Sequence, residues 1–242
     1  MRSNYNSLQL HAEKRFHQGL YLLSNFTWAK SLDDGTFGPG DGNGNQFCYS
    51  CNYGPSGTVR PWSWVSAANW LLPFGRGRAY ANGLSRGADA VVGGWALSGI
   101  FNFEGGLPFT PYYLNSPTVL NSPIYDRPNQ IGDPHVAHPN QNEWYNPAAY
   151  TDPAQYTFGN AGRNSLTGPG LGLVDLSLTK SFTITETTHL DLKWDAFNAL
   201  NRENLGQPTC AGAAFVDISD AGQICSIVDF RRRMQIGAHL TF

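Results

Sequence analysis

The chain is patterned in twos. Its last stretch, residues 231–242, reads RRRMQIGAHLTF, with Met234, Ile236, Ala238, Leu240 and Phe242 alternating with Arg233, Gln235, Gly237, His239 and Thr241. A period of two is the signature of a strand with one apolar and one polar face. Six earlier segments alternate in the same way. In residues 5–16, Leu8, Leu10 and Ala12 oppose Ser7, Gln9, His11 and Glu13. In 20–30, Leu22, Phe26 and Trp28 oppose Asn25 and Thr27. In 61–72, Trp62, Trp64, Ala68 and Trp70 oppose Ser63 and Asn69. In 95–109, Trp95, Leu97, Phe101 and Phe103 oppose Ser98, Asn102 and Glu104. In 174–182, Leu176, Leu178 and Phe182 oppose Asp175, Ser177 and Thr179. In 190–197, Leu190, Leu192, Trp194 and Ala196 oppose Asp191, Lys193 and Asp195. The pattern predicts seven long strands.

The stretches between them alternate too. Short connections (17–19, 73–94, 183–189) take turns with long ones (31–59, 111–171, 200–229) rich in Gly, Asn and Pro. Consecutive antiparallel strands put alternate connections on opposite ends of a sheet, so the long loops are expected at one end. Short turns on one side and long loops on the other are the layout of an outer-membrane barrel. Alternation alone also fits a soluble sandwich, which buries its apolar faces. Strands of about 9 to 13 residues, with Trp and Phe near their ends, favour lipid, because amphipathic rings settle at the headgroup level.

Composition narrows the reading. Charged residues make up 14%, aromatics 13%, and there are 27 glycines and 15 prolines. Disordered chains need the reverse, high charge and few aromatics. A net charge of -2 offers no basic face for nucleic acid. No apolar run is long enough for a transmembrane helix. The polar start MRSNYNSLQLHAEKRF lacks an apolar core for a signal peptide. The chain is therefore either cytosolic, or residue 1 is not the natural start.

Several stretches together resemble one family. The final RRRMQIGAHLTF resembles the closing strand of outer-membrane barrels, which ends in Phe. LYLLSNFTWAKSLDDG, LLPFGRGR, VVGGWALSGIFNFEGGLPFT, WYNPAAYTDPAQYTFGNAGRNSLTGPG and LDLKWDAFNALNRENLG resemble, in order, segments of Oar-like TonB-dependent transporters. The resemblance implies an all-β fold: an antiparallel transmembrane β-barrel segment of about seven long strands, an open part of a plugged barrel of about 22, with long extracellular loops. Residues 1–242 would then be the C-terminal portion, without the plug domain and early strands, and Met1 an internal start. The expected role is outer-membrane uptake of a large or scarce nutrient, such as a glycan or peptide product, inactive as an isolated fragment. Expected partners are outer-membrane lipid, the barrel-assembly machinery, an unknown nutrient ligand, and TonB acting only through the missing N-terminal part. Met234, Ile236, Ala238, Leu240 and Phe242 would form the membrane-insertion signal. The alternative is a secreted or surface β-rich binding protein.

Candidate chemistry is sparse. Cys48/Cys51 and Cys210/Cys225 sit in loop-like segments and fit loop disulfides in an oxidising compartment; free thiols remain open, and a metal knuckle fits poorly because the second spacing is wrong. His135 and His138 form H-x-x-H between Pro134 and Pro139, short of a third ligand. The run from Asp41 to Asn45 starts like a calcium loop, but Gln46 and Asn52 occupy the positions that need Gly and Glu. Asp191 and Asp195 share a strand face with Lys193 between them, as a polar lumen wall would. GRGRAYANG has no P-loop lysine. No catalytic, cofactor or metal site is expected, and no enzyme activity. Tyr112, Tyr113, Tyr125, Trp144, Tyr145, Tyr150 and Tyr156 crowd one loop, either to contact a ligand or to pack that loop on itself.

Overall fold

The computed structural model describes residues 2–16, 19–35, 48–114 and 126–242. The two residues before Gly19 in the first turn, Tyr125, and the calcium-like run with Gln46 lie outside the described residues. Seven long strands dominate: β1 (Ser3–Arg15), β2 (Leu20–Asp33), β3 (Trp62–Leu71), β4 (Trp95–Glu104), β5 (Leu171–Thr183), β6 (His189–Phe197) and β7 (Arg233–Thr241). Each expected segment holds one of them. The main departures are the later end of β2 at Asp33, the earlier end of β4 at Glu104 and the earlier start of β5 at Leu171.

The strands form one antiparallel meander in which each pairs with its neighbour in sequence. The two-residue strand Gly54–Pro55 adds to β2. β1 and β7 are the edges of the sheet, and every residue of both is exposed. The sheet is not closed into a barrel. As the alternation requires, the short connections lie at one end and the three long ones at the other. No helix among the described residues is long and apolar enough to cross a membrane. A strand of about 10 residues rising ~3.3 Å each, tilted by roughly 40°, covers the ~25 Å apolar band of an outer-membrane barrel.

The strands are staggered. One row of partners runs Arg15, Tyr21, Asn69, Ser98, Ser177, Asp195, Gln235. Arg15 ends β1 at the short-turn end, whereas Gln235 lies near the start of β7 at the long-loop end. The perpendicular row thus climbs the sheet, which is the shear that accompanies tilted strands in a barrel.

The third strand pair turns through a connection with a helix, α1 (Arg86–Val92), capped by Ser85, whose side chain accepts from the Ala88 amide at 3.4 Å. Gly93 and Gly94 end it. Gly94 sits at φ +70°, and a β-carbon there would collide with the Ser181 carbonyl of β5. The backbone exploits that close approach, since the Ser181 amide donates to the Gly94 carbonyl at 2.8 Å. Only glycine combines this dihedral with this proximity. Gly94→Ala is expected to cost roughly 1–3 kcal/mol, seen as a lower unfolding midpoint of the detergent-solubilised protein. Gly83→Ala in the same connection, where nothing stands within 4 Å, should leave the midpoint unchanged.

Candidate functional site

Directly paired residues in a ladder point to the same side, so the register decides whether the seven apolar stripes form one surface. They do. Leu10, Phe26, Trp64 and Phe103 form one row. Leu20, Trp70, Leu97, Leu178, Trp194 and Ile236 form another. Phe182, Leu190 and Leu240 form a third. Every apolar residue singled out in the seven strand segments that pairs in the ladder falls on this belt. Rings gather at its two margins: Trp28, Trp62, Trp64 and Phe103 toward the long loops, and Trp70, Trp95 and Phe182 toward the short turns. Trp64 stacks on Phe103 with centroids 5.6 Å apart.

The belt is open to the outside. Trp28 is 60% exposed and Ile236 82%, and Phe242 beyond β7 is 94% exposed. Met234 and Leu240 are more than half exposed, and Ala238 is exposed too. The two clusters of buried hydrophobic residues contain no residue of β1–β7. A sandwich covers such a face with a second sheet, and no such layer exists among the described residues. Two serines interrupt the belt, and they answer each other across strands: Ser66 donates to Ser24 at 2.7 Å, and the Trp64 indole donates to Ser24 at 2.9 Å. Polar groups facing hydrocarbon need such internal partners. Lys180 of β5 is a cation on the belt face near the short turns, paired with Trp95 and Leu192. It is buried, its ammonium bonded to the Gly93 carbonyl and set over the Trp95 and Phe182 rings at 5.3 and 4.9 Å. Those contacts replace the water that an exposed ammonium would require.

The opposite face is polar with apolar exceptions. His11 bonds to Asn25 at 2.7 Å. Lys193 pairs with Asp195 at 3.2 Å, so the Asp191/Asp195 spacing yields a cation–carboxylate contact rather than a carboxylate pair. Leu23, Val65 and Ile100 lie on this face as well; the alternation of their strands did not flag them.

Above the long-loop end the second and third long loops fold into a cap. Its core is Phe109, Tyr145, Ala149, Tyr150, Ala161, Leu166, Ala214 and Val216. Tyr112 packs beside it with Ala213 and Phe215. Three of the loop tyrosines are therefore structural: Tyr112, Tyr145 and Tyr150 are buried, and the Tyr145 hydroxyl donates to the Phe215 carbonyl at 3.1 Å. Burial pushes the Tyr150 phenol up to about 12 and the Tyr145 phenol higher, so both stay neutral. Tyr113 and Trp144 pack against the core from outside, and Tyr156 is exposed. His135 and His138 are exposed, His135 bonding Asp133 at 2.6 Å, and no group of three metal-ligand residues assembles among the described residues.

The cap is fastened to polar-face carboxylates, two of which (Glu104 and Asp175) the alternation marked as polar, by loop residues that the sequence pattern did not single out. Arg163 reaches Asp33 at the long-loop end of β2, with 2.6 Å to the carboxylate and 2.8 Å to the carbonyl; both side chains are buried. Arg127 donates to the Cys51 carbonyl and the Asn52 side chain, both at 2.9 Å. Asn164, at φ 50°, donates to the Pro55 carbonyl at 2.7 Å and accepts from Thr110 at 2.9 Å. Arg60 pairs with Glu104 at 2.6 Å, and the Asn198 amide donates to Asp175 at 2.8 Å. Asp33, Glu104 and Asp175 are thus polar-face carboxylates holding the loops. Two disulfides, Cys48–Cys51 and Cys210–Cys225, close segments of the first and third long loops. A loop the size of the second adds about 3 kcal/mol in the chain-entropy account. Removing one partner of a buried ion pair strands the other. Arg163→Met should therefore cost about 3–5 kcal/mol, read as faster protease cutting in residues 126–170, and Asp33→Leu added to it should recover part of the loss.

The chain matches a known family over residues 1–235, that of the outer membrane beta barrel domain. A comparison with the curated proteins returns no match. The meander, the outward apolar belt and the one-sided loops are the layout of an outer-membrane barrel, and the chain belongs to the outer membrane beta barrel domain family, which places it in the outer membrane.

Proposed function

We propose that the seven strands are a segment of the barrel of a TonB-dependent transporter of the Oar-like kind, serving uptake of a large or scarce nutrient. The observation that carries the reading is the continuous apolar belt joined to a folded loop cap at one end only. On the barrel rule the cap is extracellular and the short turns periplasmic. A folded, carboxylate-anchored cap suits a receptor that meets its ligand outside the cell. The finer assignment draws support from the ordered motifs, several of which occupy demanding positions. GGW supplies Gly94, GNAGRNSL supplies Arg163 and Asn164, and FNALNREN supplies Asn198 and Asn204.

The exposed ladders of β1 and β7 bear on the assembly. Unpaired backbone groups in hydrocarbon cost several kcal/mol each. In the membrane both edges therefore pair with further strands, from the same polypeptide or another. Alone, the seven strands do not enclose a transport path. TonB would act through a plug-bearing part of the assembly, and the barrel-assembly machinery would read the β7 stripe ending in Phe242.

Fractionation tests the membrane reading. The full-length protein should stay with outer membranes through a salt wash and be released only by detergent; recovery as a soluble species without detergent would sink it. Phe242→Ser should lower the outer-membrane level of the full-length protein several-fold, and unchanged levels would count against β7 as an insertion signal. For the transport reading, uptake of the bound nutrient should stop when TonB is deleted.

A further inference from the structure

Two hollows flank α1 at the short-turn end, and they differ in chemistry. One, of about 410 Å³, is lined by Arg76, Arg78, Arg86, Asp89 and Phe74 together with the end of β5. The other, of about 430 Å³, is an apolar groove on the belt, lined by Val91, Trp95, Phe182, Leu192, Trp194 and Ile236. Ala90 and Phe182 border both, so the two adjoin beside the helix.

The polar hollow is cationic. Three guanidinium groups meet one carboxylate, a surplus of 3 − 1 = 2 positive charges. The Asp89 carboxylate is engaged by the backbone, since the Arg76 amide donates to it at 2.7 Å. Among the described residues no ion pair engages Arg76, Arg78 or Arg86, and all three are exposed. The apolar groove needs a hydrocarbon occupant, because Val91 stands 70% exposed over it. Trp95 lines the apolar groove at the short-turn boundary of the belt, with its indole donating to the Val91 carbonyl at 2.9 Å. Tryptophan at such a boundary sits at the headgroup level.

We propose that this end carries a binding site for an anionic glycerophospholipid of the periplasmic leaflet. Its phosphate diester sits in the arginine cleft and one acyl chain lies in the groove beside α1. Guanidinium groups bind phosphate oxygens in bidentate geometry, and basic pockets at a membrane boundary select anionic headgroups. The site rests on the reading that the short turns meet the periplasmic leaflet.

The test uses the full-length chain. It is first inserted into vesicles of dioleoyl phosphatidylcholine, then solubilised and titrated with dioleoyl phosphatidylglycerol or dioleoyl phosphatidylcholine under native mass spectrometry. Phosphatidylglycerol should bind at least about tenfold more tightly. The triple variant R76Q/R78Q/R86Q should lose that preference, whereas R231Q/R232Q at the opposite end should keep it. Equal binding of the two lipids by the unaltered protein overturns the proposal whatever the variant does. So does a preference that survives the triple variant with its β-sheet circular dichroism intact. If the triple variant does not fold, Arg78→Gln alone replaces it and should weaken the preference. Displacement of phosphatidylglycerol by inorganic phosphate at equal concentration would mark a free-anion site and overturn the lipid assignment. Failure of the chain to enter phosphatidylcholine vesicles would instead bring down the membrane reading itself.

Discussion

The backbone hydrogen-bond ladder governs everything else in this molecule. Hydrocarbon offers no partner to an amide or carbonyl, so each strand must find its partners in the next. A ladder fixes the register, and the register fixes which side chains share a face. Once seven antiparallel strands are paired, Leu10, Phe26, Trp64 and Phe103 can only point one way and His11 and Asn25 the other. The belt is then a consequence of pairing plus a two-residue period. The same logic explains Ser24 and Ser66, which satisfy one another across adjacent strands, and Lys180, whose ammonium finds a carbonyl and two ring faces.

The polar architecture is concentrated at the ends. At the long-loop end, carboxylates on β2, β4 and β5 hold loop residues through Arg163, Arg60 and the Asn198 amide. At the short-turn end, α1 is clamped by Trp95 and Lys180 onto the belt itself. The strands between are uniform, and the individuality of the chain is carried by what is attached above and below them. This is the usual division in barrels, where the sheet supplies a rigid frame and the loops supply recognition.

The strands were legible in the sequence because their signal is local. Alternation in Val174–Phe182 or Leu190–Phe197 needs no knowledge of distant residues, and the side of each loop follows from counting strands. The cap was not legible. Asp33 lies just past the alternating segment and reads as a turn residue, and Arg163 lies in a stretch without periodicity; only folding brings them together. The tyrosines show the same limit. Tyr112, Tyr145 and Tyr156 look alike in sequence, yet two are buried and one is exposed, because their fates depend on partners contributed by another loop, such as Phe215. Leu23, Val65 and Ile100 escaped notice for a different reason: they sit where alternation predicts polar residues, and a period can only report its regular members.

The Asp33–Arg163 contact joins residues 130 positions apart. Between them the chain must complete β3 and β4 and run through most of the second long loop. Closing so large a loop carries an entropic cost that only the finished contacts offset. The first hairpin can form from near neighbours within microseconds, but the cap has no local precursor. Assembly therefore has an order written into it: the wall can rise strand by strand, whereas the lid locks only when its far half arrives, making the buried arginine a timekeeper for completion of the outer end.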